Sequence, residues 1–307
     1  MKLLFVKIGL AILIFFGFLW LIKILLNESS QDMVSPLNPD RIPVQEFFFS
    51  LNKDTIFTGK EGTVLKINKD AFIDCQGKPV EGRIRINLKE IYSKPDIILS
   101  GITTTSDGQI LETGGALYLN AYQGEKTLCV NDTAKIGVIV PAGEVRRDMK
   151  LYRGRFFDNT AKINWTDPEE LLNNYVFETG NLGWLSIERL VDKMNAEEIS
   201  LVVSVNNRKD YKYLIMRMIY LNLGICLDGF EAGKNRFVFG NNYAENLKLP
   251  VGEPVIVFAV AQREERPYIG MQEFILGKNN VSTLNLKETT TEEMEALIEA
   301  WFSEDKE

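Results

Sequence analysis

The stretch Phe57–Tyr122, FTGKEGTVLKINKDAFIDCQGKPVEGRIRINLKEIYSKPDIILSGITTTSDGQILETGGALYLNAY, decides the fold class. Thr63, Leu65 and Ile67 alternate with Val64, Lys66 and Asn68, the period of two that suits a half-buried strand. Val80, Gly82, Ile84, Ile86 and Leu88 alternate with Glu81, Arg83, Arg85, Asn87 and Lys89, apolar on one face and charged on the other. Asp74-Cys75-Gln76-Gly77 supplies a turn, with Gly77 free to take positive φ. Ile97–Gly101 and Ile102–Thr105 read as further strands leading to Asp107-Gly108, a tight-hairpin signal. Beyond it Leu117, Leu119 and Ala121 take one face, Tyr118 and Asn120 the other, and Gly114-Gly115 serves tight strand geometry. Short strands at this spacing with glycine-rich turns predict a mainly β chain built from antiparallel sandwiches.

Downstream, Ala134–Pro141 and Met149–Phe157 read as strands, and Phe47-Phe48-Phe49 upstream reads as the first one. Asn164–Tyr175 carries helix-start chemistry, with Asp167 at N-cap, Pro168 at N1 and Glu170 at N3. Trp165 and Trp184 flank it as packing residues between modules. A second β-rich module follows: Ile199–Val205, Tyr213–Leu221, Arg236–Phe239, Val255–Val260 and Tyr268–Leu276 read as strands, with turns at Asp228-Gly229 and Leu249–Gly252. The apolar run Leu214–Leu227 reads as a buried strand or strand pair, since Arg217 and Asn222 spoil it as a membrane span. At the C-terminus Thr290 and Glu293 form a capping box, and Met294, Leu297, Ile298, Trp301 and Phe302 fall on one stripe. That helix is expected to fold onto the second module, with partner docking as the alternative.

Residues 1–27 read MKLLFVKIGLAILIFFGFLWLIKILLN, and Leu3–Leu26 is a 24-residue apolar run if Lys7 and Lys23 snorkel. As a helix it would rise roughly 36 Å, enough for a bilayer core of about 30 Å. No A-x-A-like cleavage site follows, so the reading is an uncleaved signal anchor. Lys2 and Lys7 favour a cytoplasmic N-terminus, which places the bulk of the chain outside the cytoplasm, in the periplasm of a double-membrane cell. The predicted organisation is a transmembrane signal anchor at 1–27, a stalk at 28–44 and a first β-sandwich module at 45–160. A linker with a short helix at 161–177, a second β-rich module at 178–288 and a C-terminal amphipathic helix and tail at 289–307 complete it.

Composition narrows the chemistry. The chain carries a formal charge of −7, and residues 1–27 hold three lysines and no acid, leaving 32 basic against 42 acidic residues. Such a surface is poorly matched to nucleic acid, and no nucleic-acid partner is expected. There is no histidine, which removes Ser-His-Asp and Cys-His catalysis and His-ligated metals. The three cysteines allow one disulfide in an oxidising compartment; Cys75–Cys129 within the first module is the expected pair, and spacing alone does not fix the connectivity. Asp70, Asp74, Asp96, Asp107 and Glu112 are read as solvated turn carboxylates rather than a calcium or catalytic set. No phosphate loop, dinucleotide fingerprint or nucleophile elbow occurs, so no cofactor, catalytic residue or metal ligand is assigned.

The strings GTVLKINKDAF, DIILSGITTTSDGQILETGGALYLNA and NLGWLSIERL resemble an uncharacterised family of envelope proteins from Bacteroidota, over most of residues 50–300. GTVLKINKDAF and Ala134–Glu144 (AKIGVIVPAGE) are also similar to ZU5-type β-sandwiches. The first resemblance implies a membrane anchor or export signal ahead of two β-rich modules, and brings no established activity. The expectation is therefore a noncatalytic binding or structural component of the cell envelope. It would hold the membrane through residues 1–27 and bind an envelope protein or glycan through a surface near Asp96, Ser100, Asp107, Glu112 and Thr113. The alternative is a carboxylate-dependent hydrolase acting on an envelope polysaccharide. Two facing acids of perturbed pKa in a concave pocket would mark the hydrolase, whereas exposed aromatics along one sheet face would mark a binding platform.

Overall fold

The structure, a computed structural model, describes residues 37–141, 146–156, 163–173, 175–191, 196–233, 235–240, 247–277 and 280–302. The expected anchor at 1–27 and the start of the expected stalk lie outside them. Among the described residues no helix is long and apolar enough to cross a membrane. From Pro36 onward the chain forms one compact unit.

In chain order come β1 (Gln45–Ser50), β2 (Thr55–Thr58), β3 (Val64–Ile67), β4 (Phe72–Asp74) and β5 (Arg83–Ile91). Helix α1 (Lys94–Ser100) precedes β6 (Thr105–Ser106), β7 (Gln109–Gln123), β8 (Lys126–Val130) and β9 (Ile136–Ile139). Next are β10 (Lys150–Phe156), β11 (Ile163–Glu170), β12 (Val176–Thr179) and β13 (Gly183–Leu190). The C-terminal half opens with β14 (Ala196–Glu197), β15 (Ser200–Val205), β16 (Tyr213–Tyr220), β17 (Cys226–Asp228), β18 (Phe230–Glu231) and β19 (Arg236–Gly240). It ends with β20 (Leu249–Pro250), β21 (Pro254–Arg263), β22 (Arg266–Ile275), β23 (Asn280–Leu284), β24 (Lys287–Glu288) and helix α2 (Thr291–Phe302).

The chain is mainly β, as its alternation predicts. In the N-terminal half a nine-stranded sheet runs β1-β5-β7-β13-β10-β11, with β6 and β8 also paired to β7 and β4 to β8, and a four-stranded sheet runs β12-β9-β3-β2. Leu65, Val138 and Phe177 from the smaller sheet meet Ile84, Ile86, Leu117, Leu119 and Leu185 from the larger in one core. In the C-terminal half a five-stranded sheet, β17-β16-β21-β22-β24, faces a four-stranded one, β18-β19-β15-β23. Met216, Met218, Val255 and Val257 pack there against Leu201, Val203, Phe237 and Phe239. One pairing, β15 with β23, is parallel, unlike the antiparallel ladders that dominate both halves.

A third core joins the halves. Ile91, Ile98, Trp165 and Trp184 pack with Ile219, Phe258, Met294 and Ile298. Backbone bonds cross the same seam, from Thr104 N to Cys226 O at 2.9 Å and from Thr113 N to Gly224 O at 2.8 Å. Arg217, 4% exposed, donates to Gly101 O at 2.8 Å and Ile102 O at 3.0 Å and pairs with Asp228 at 3.2 Å.

Local signals account for several elements. Asp107 and Gly108, at φ 44° and 75°, form the tight turn between paired Ser106 and Gln109. The capping box on α2 is present: Glu293 N donates to Thr290 Oγ1 at 3.2 Å, and Thr290 N donates to Glu293 Oε2 at 3.1 Å. Cys75 and Cys129 are bonded, with Cα atoms 5.2 Å apart, where β4 pairs with β8. Leu214–Leu227 supplies the strand pair β16 and β17.

Other expectations are corrected. Ile97–Gly101 is not a strand but the body and cap of helix α1. Ser93 Oγ accepts from Asp96 N at 3.2 Å, Pro95 fits the first turn, and Gly101 closes the helix at φ 71°. Asn164–Tyr175 is not a linking helix. Its first part is edge strand β11, paired with β10 and carrying buried Ile163 and Trp165. A register shift beside Asp167-Pro168 lets an edge strand tolerate proline, and Asp167 pairs with Arg155 instead of capping. β12 and β13, expected across the linker and the start of the second module, pair with β9 and with β7 and β10. The last part of the expected stalk is folded onto the body: Leu37 and Ile42 are buried, and Lys89 donates to Pro39 O at 2.7 Å.

Candidate functional site

The residues singled out along Asp96–Thr113 do not converge on one surface. Asp96 lies in the first turn of α1 and accepts from Ser93 Oγ at 2.6 Å. Ser100 is buried and donates to Ile97 O at 2.9 Å. Asp107 accepts from Asn164 Nδ2 at 2.9 Å, which ties the hairpin to β11. These contacts stabilise helix α1 and the hairpin turn. Glu112 and Thr113 do come together, but in the interior.

That interior cluster forms where β7 bulges. Gly115 pairs with Ile187 and Thr113 with Glu188, so Gly114 has no partner on β13. Gly115 sits at φ 123°, and a Cβ there would lie 2.4 Å from the Tyr92 ring, so both conformation and space require glycine. The bulge turns Glu112 toward Arg146 and Arg189, the latter donating through Nε at 2.7 Å. Glu188, 1% exposed, accepts from Ser186 Oγ, and its Oε2 has no hydrogen-bond partner. Burial pushes the Glu188 carboxyl up to about 8; hydroxyls of Ser186 and Thr113 oppose the rise, and the Glu112 charge adds to it. Here are two nearby acids, one strongly perturbed, yet both are buried (5% and 1%) rather than facing a cleft. The arrangement is a buried carboxylic acid beside a neutralised carboxylate, not the open acid pair that a glycosidase uses.

A concavity lies elsewhere, between α2 and strands β22 and β24. It encloses about 620 Å³, within the range of small-molecule and side-chain pockets. Met271 and Ile269 come from β22, Ala296, Leu297 and Trp301 from α2, and Lys287 and Glu288 from β24. The helix builds this site by dividing its apolar residues. Met294, Ile298 and Phe302, spaced by four, are buried in the shared core. Leu297 remains 41% exposed and Trp301 half-buried, and these two edge the groove. The sequence put all five on one stripe; a hydrophobic arc wider than the core needs was the legible sign that part of it faces outward. The polar rim is fixed, because Glu288 accepts from Arg266 at 2.9 Å and from the Tyr268 hydroxyl at 3.0 Å.

Among the described residues no three Cys, Asp or Glu side chains converge as a metal site. No protein-family model matches the chain, and no curated protein matches its sequence significantly.

Proposed function

We propose that this chain is a noncatalytic, membrane-anchored binding component of the cell envelope, and that the α2 groove seats apolar side chains of an extracytoplasmic protein partner. In this reading residues 1–27 anchor two sandwich-like modules, in keeping with the resemblance to Bacteroidota envelope proteins. The observation that carries it is the groove, where Leu297 and Trp301 border an apolar floor inside a fixed polar rim. Exposed aromatic and aliphatic anchors around a pocket are the usual centre of a protein-binding surface. The buried state of Glu112 and Glu188 favours binding over the hydrolase alternative.

The test is site-specific photo-cross-linking of the full-length protein in its native membranes. A photoreactive residue at Leu297 is compared with one at Phe230, another exposed apolar position. A discrete adduct is expected from 297 and not from 230, and Trp301→Ala is expected to cut it about tenfold, the worth of one buried aromatic anchor. Equal labelling at both positions, or none at 297, overturns the assignment.

A further inference from the structure

The face of the nine-stranded sheet turned away from its core carries a second, differently built surface. On β1, β5 and β7 the inward positions are Phe47 and Phe49, then Ile84, Ile86 and Leu88, then Leu117, Leu119 and Ala121. The alternate positions point outward. Register places Phe48, Arg85 and Tyr122 in one row across the strands, and Glu46, Asn87 and Asn120 in the next.

These side chains are held in place rather than left to solvent. The Arg83 guanidinium lies 4.6 Å from the centroid of the Phe48 ring, and Arg85 lies 4.9 Å from that of Tyr122. Asn120 Nδ2 donates to the hydroxyls of Tyr118 at 3.0 Å and Tyr122 at 2.9 Å, and its Oδ1 accepts from Ala121 N. Asn87 Oδ1 and Arg85 Nε have no hydrogen-bond partner. Phe48 is 49% exposed. Arg85 shares Glu46 at 3.4 Å, whereas Arg83 has no carboxylate partner among the described residues. A merely solvated sheet face needs none of this ordering. Guanidinium groups over aromatic rings and hydrogen-bonded phenols form a preorganised platform that loses little entropy on binding.

Its chemistry selects the ligand class. Flat rings offer apolar stacking area, while amide and phenol groups serve hydroxyls. Guanidinium edges take carboxylates in bidentate fashion. Two arginines against one glutamate make this patch locally positive on a chain of net charge −7. Nucleic acid, with one charge per ~1.7 Å of duplex axis, would need far more cations. We propose that this face binds a carboxylate-bearing polysaccharide, with Arg83 and Arg85 taking the carboxylates and Phe48, Asn120 and Tyr122 carrying the sugar rings. The site is separate from the α2 groove, so either assignment can fail without the other.

The experiment is affinity electrophoresis and calorimetry of the full chain in detergent, with polygalacturonate as the acidic probe and dextran as the neutral one. Retardation by polygalacturonate and not by dextran is expected, weakening at least fivefold between 50 mM and 500 mM NaCl. Arg83→Gln, at an exposed position, is expected to weaken binding about fivefold to tenfold, and Tyr122→Ala by a similar factor, with unchanged thermal melting for Arg83→Gln. No retardation of the wild type, equal retardation by dextran, or binding indifferent to Arg83→Gln overturns the proposal.

Discussion

Glu188→Gln should remove most of the pH dependence of stability between pH 5 and 8. The wild-type carboxyl is raised from 4.5 to about 8 on folding. The native state therefore holds a proton that the unfolded chain releases above pH 4.5. Stability on this account is fully present below about pH 4.5, declines as pH rises, and levels off above pH 8. At about 1.36 kcal/mol per pKa unit the full decline is roughly 5 kcal/mol, about 3 of which have been lost by pH 7. Water entering on ionisation lowers this, so roughly 2–5 kcal/mol is the working range. Around Glu188 lie Ser186, Thr113, Glu112 and Tyr152, with Lys150 opposite it on β10 but paired with Glu170, and the chain has no histidine to titrate in the same window. Glutamine keeps the shape of the protonated acid and cannot ionise. Urea unfolding at unit steps from pH 5 to 9 should show the wild type losing roughly 2–5 kcal/mol while Glu188→Gln stays nearly flat and exceeds it at pH 8. Parallel profiles for the two proteins would refute the buried-acid argument.

Two further outcomes are expected. Arg217→Met removes the cation paired with Asp228 and the donor to the carbonyls of Gly101 and Ile102, and should cost about 3–5 kcal/mol in chemical denaturation, with α1 losing hydrogen-exchange protection; an unchanged midpoint would contradict the role of Arg217 in joining the halves. Reducing Cys75–Cys129, 54 residues apart, should lower stability by about 2–4 kcal/mol, read as a denaturation midpoint shift with and without reductant, and a shift under 0.5 kcal/mol would contradict it.

Much of the fold is legible residue by residue. Asp107-Gly108 specifies its turn because its two residues carry the required positive φ with little help from elsewhere. Thr290 and Glu293 specify the start of α2 through bonds three residues apart. The alternation of Ile84, Ile86 and Leu88 marks one face of β5 whatever its neighbours are. Where local signals compete, tertiary pairing decides. Asp167-Pro168-Glu169-Glu170 has helix-start chemistry, yet burial of Trp165 and the ladder to β10 win, since a helix there would expose the indole and strand an edge. Ile97–Ser100 is too short for periodicity to separate helix from strand, and its caps at Ser93 and Gly101 were the better guide.

The sites are a different matter. Composition and spacing determined by themselves that histidine chemistry is absent, that three cysteines allow one disulfide, and that the C-terminal helix carries a stripe of five apolar residues. Only the tertiary structure decided that Glu188 is a buried acid, that Leu297 and Trp301 edge a groove, and that Phe48, Arg85 and Tyr122 stand in one row. Backbone dihedrals and caps depend on neighbours within a few residues and so can be read along the chain. Desolvation and cross-strand adjacency depend on which distant segments pair and in what register, and one residue of slip would turn each of those side chains to the opposite face.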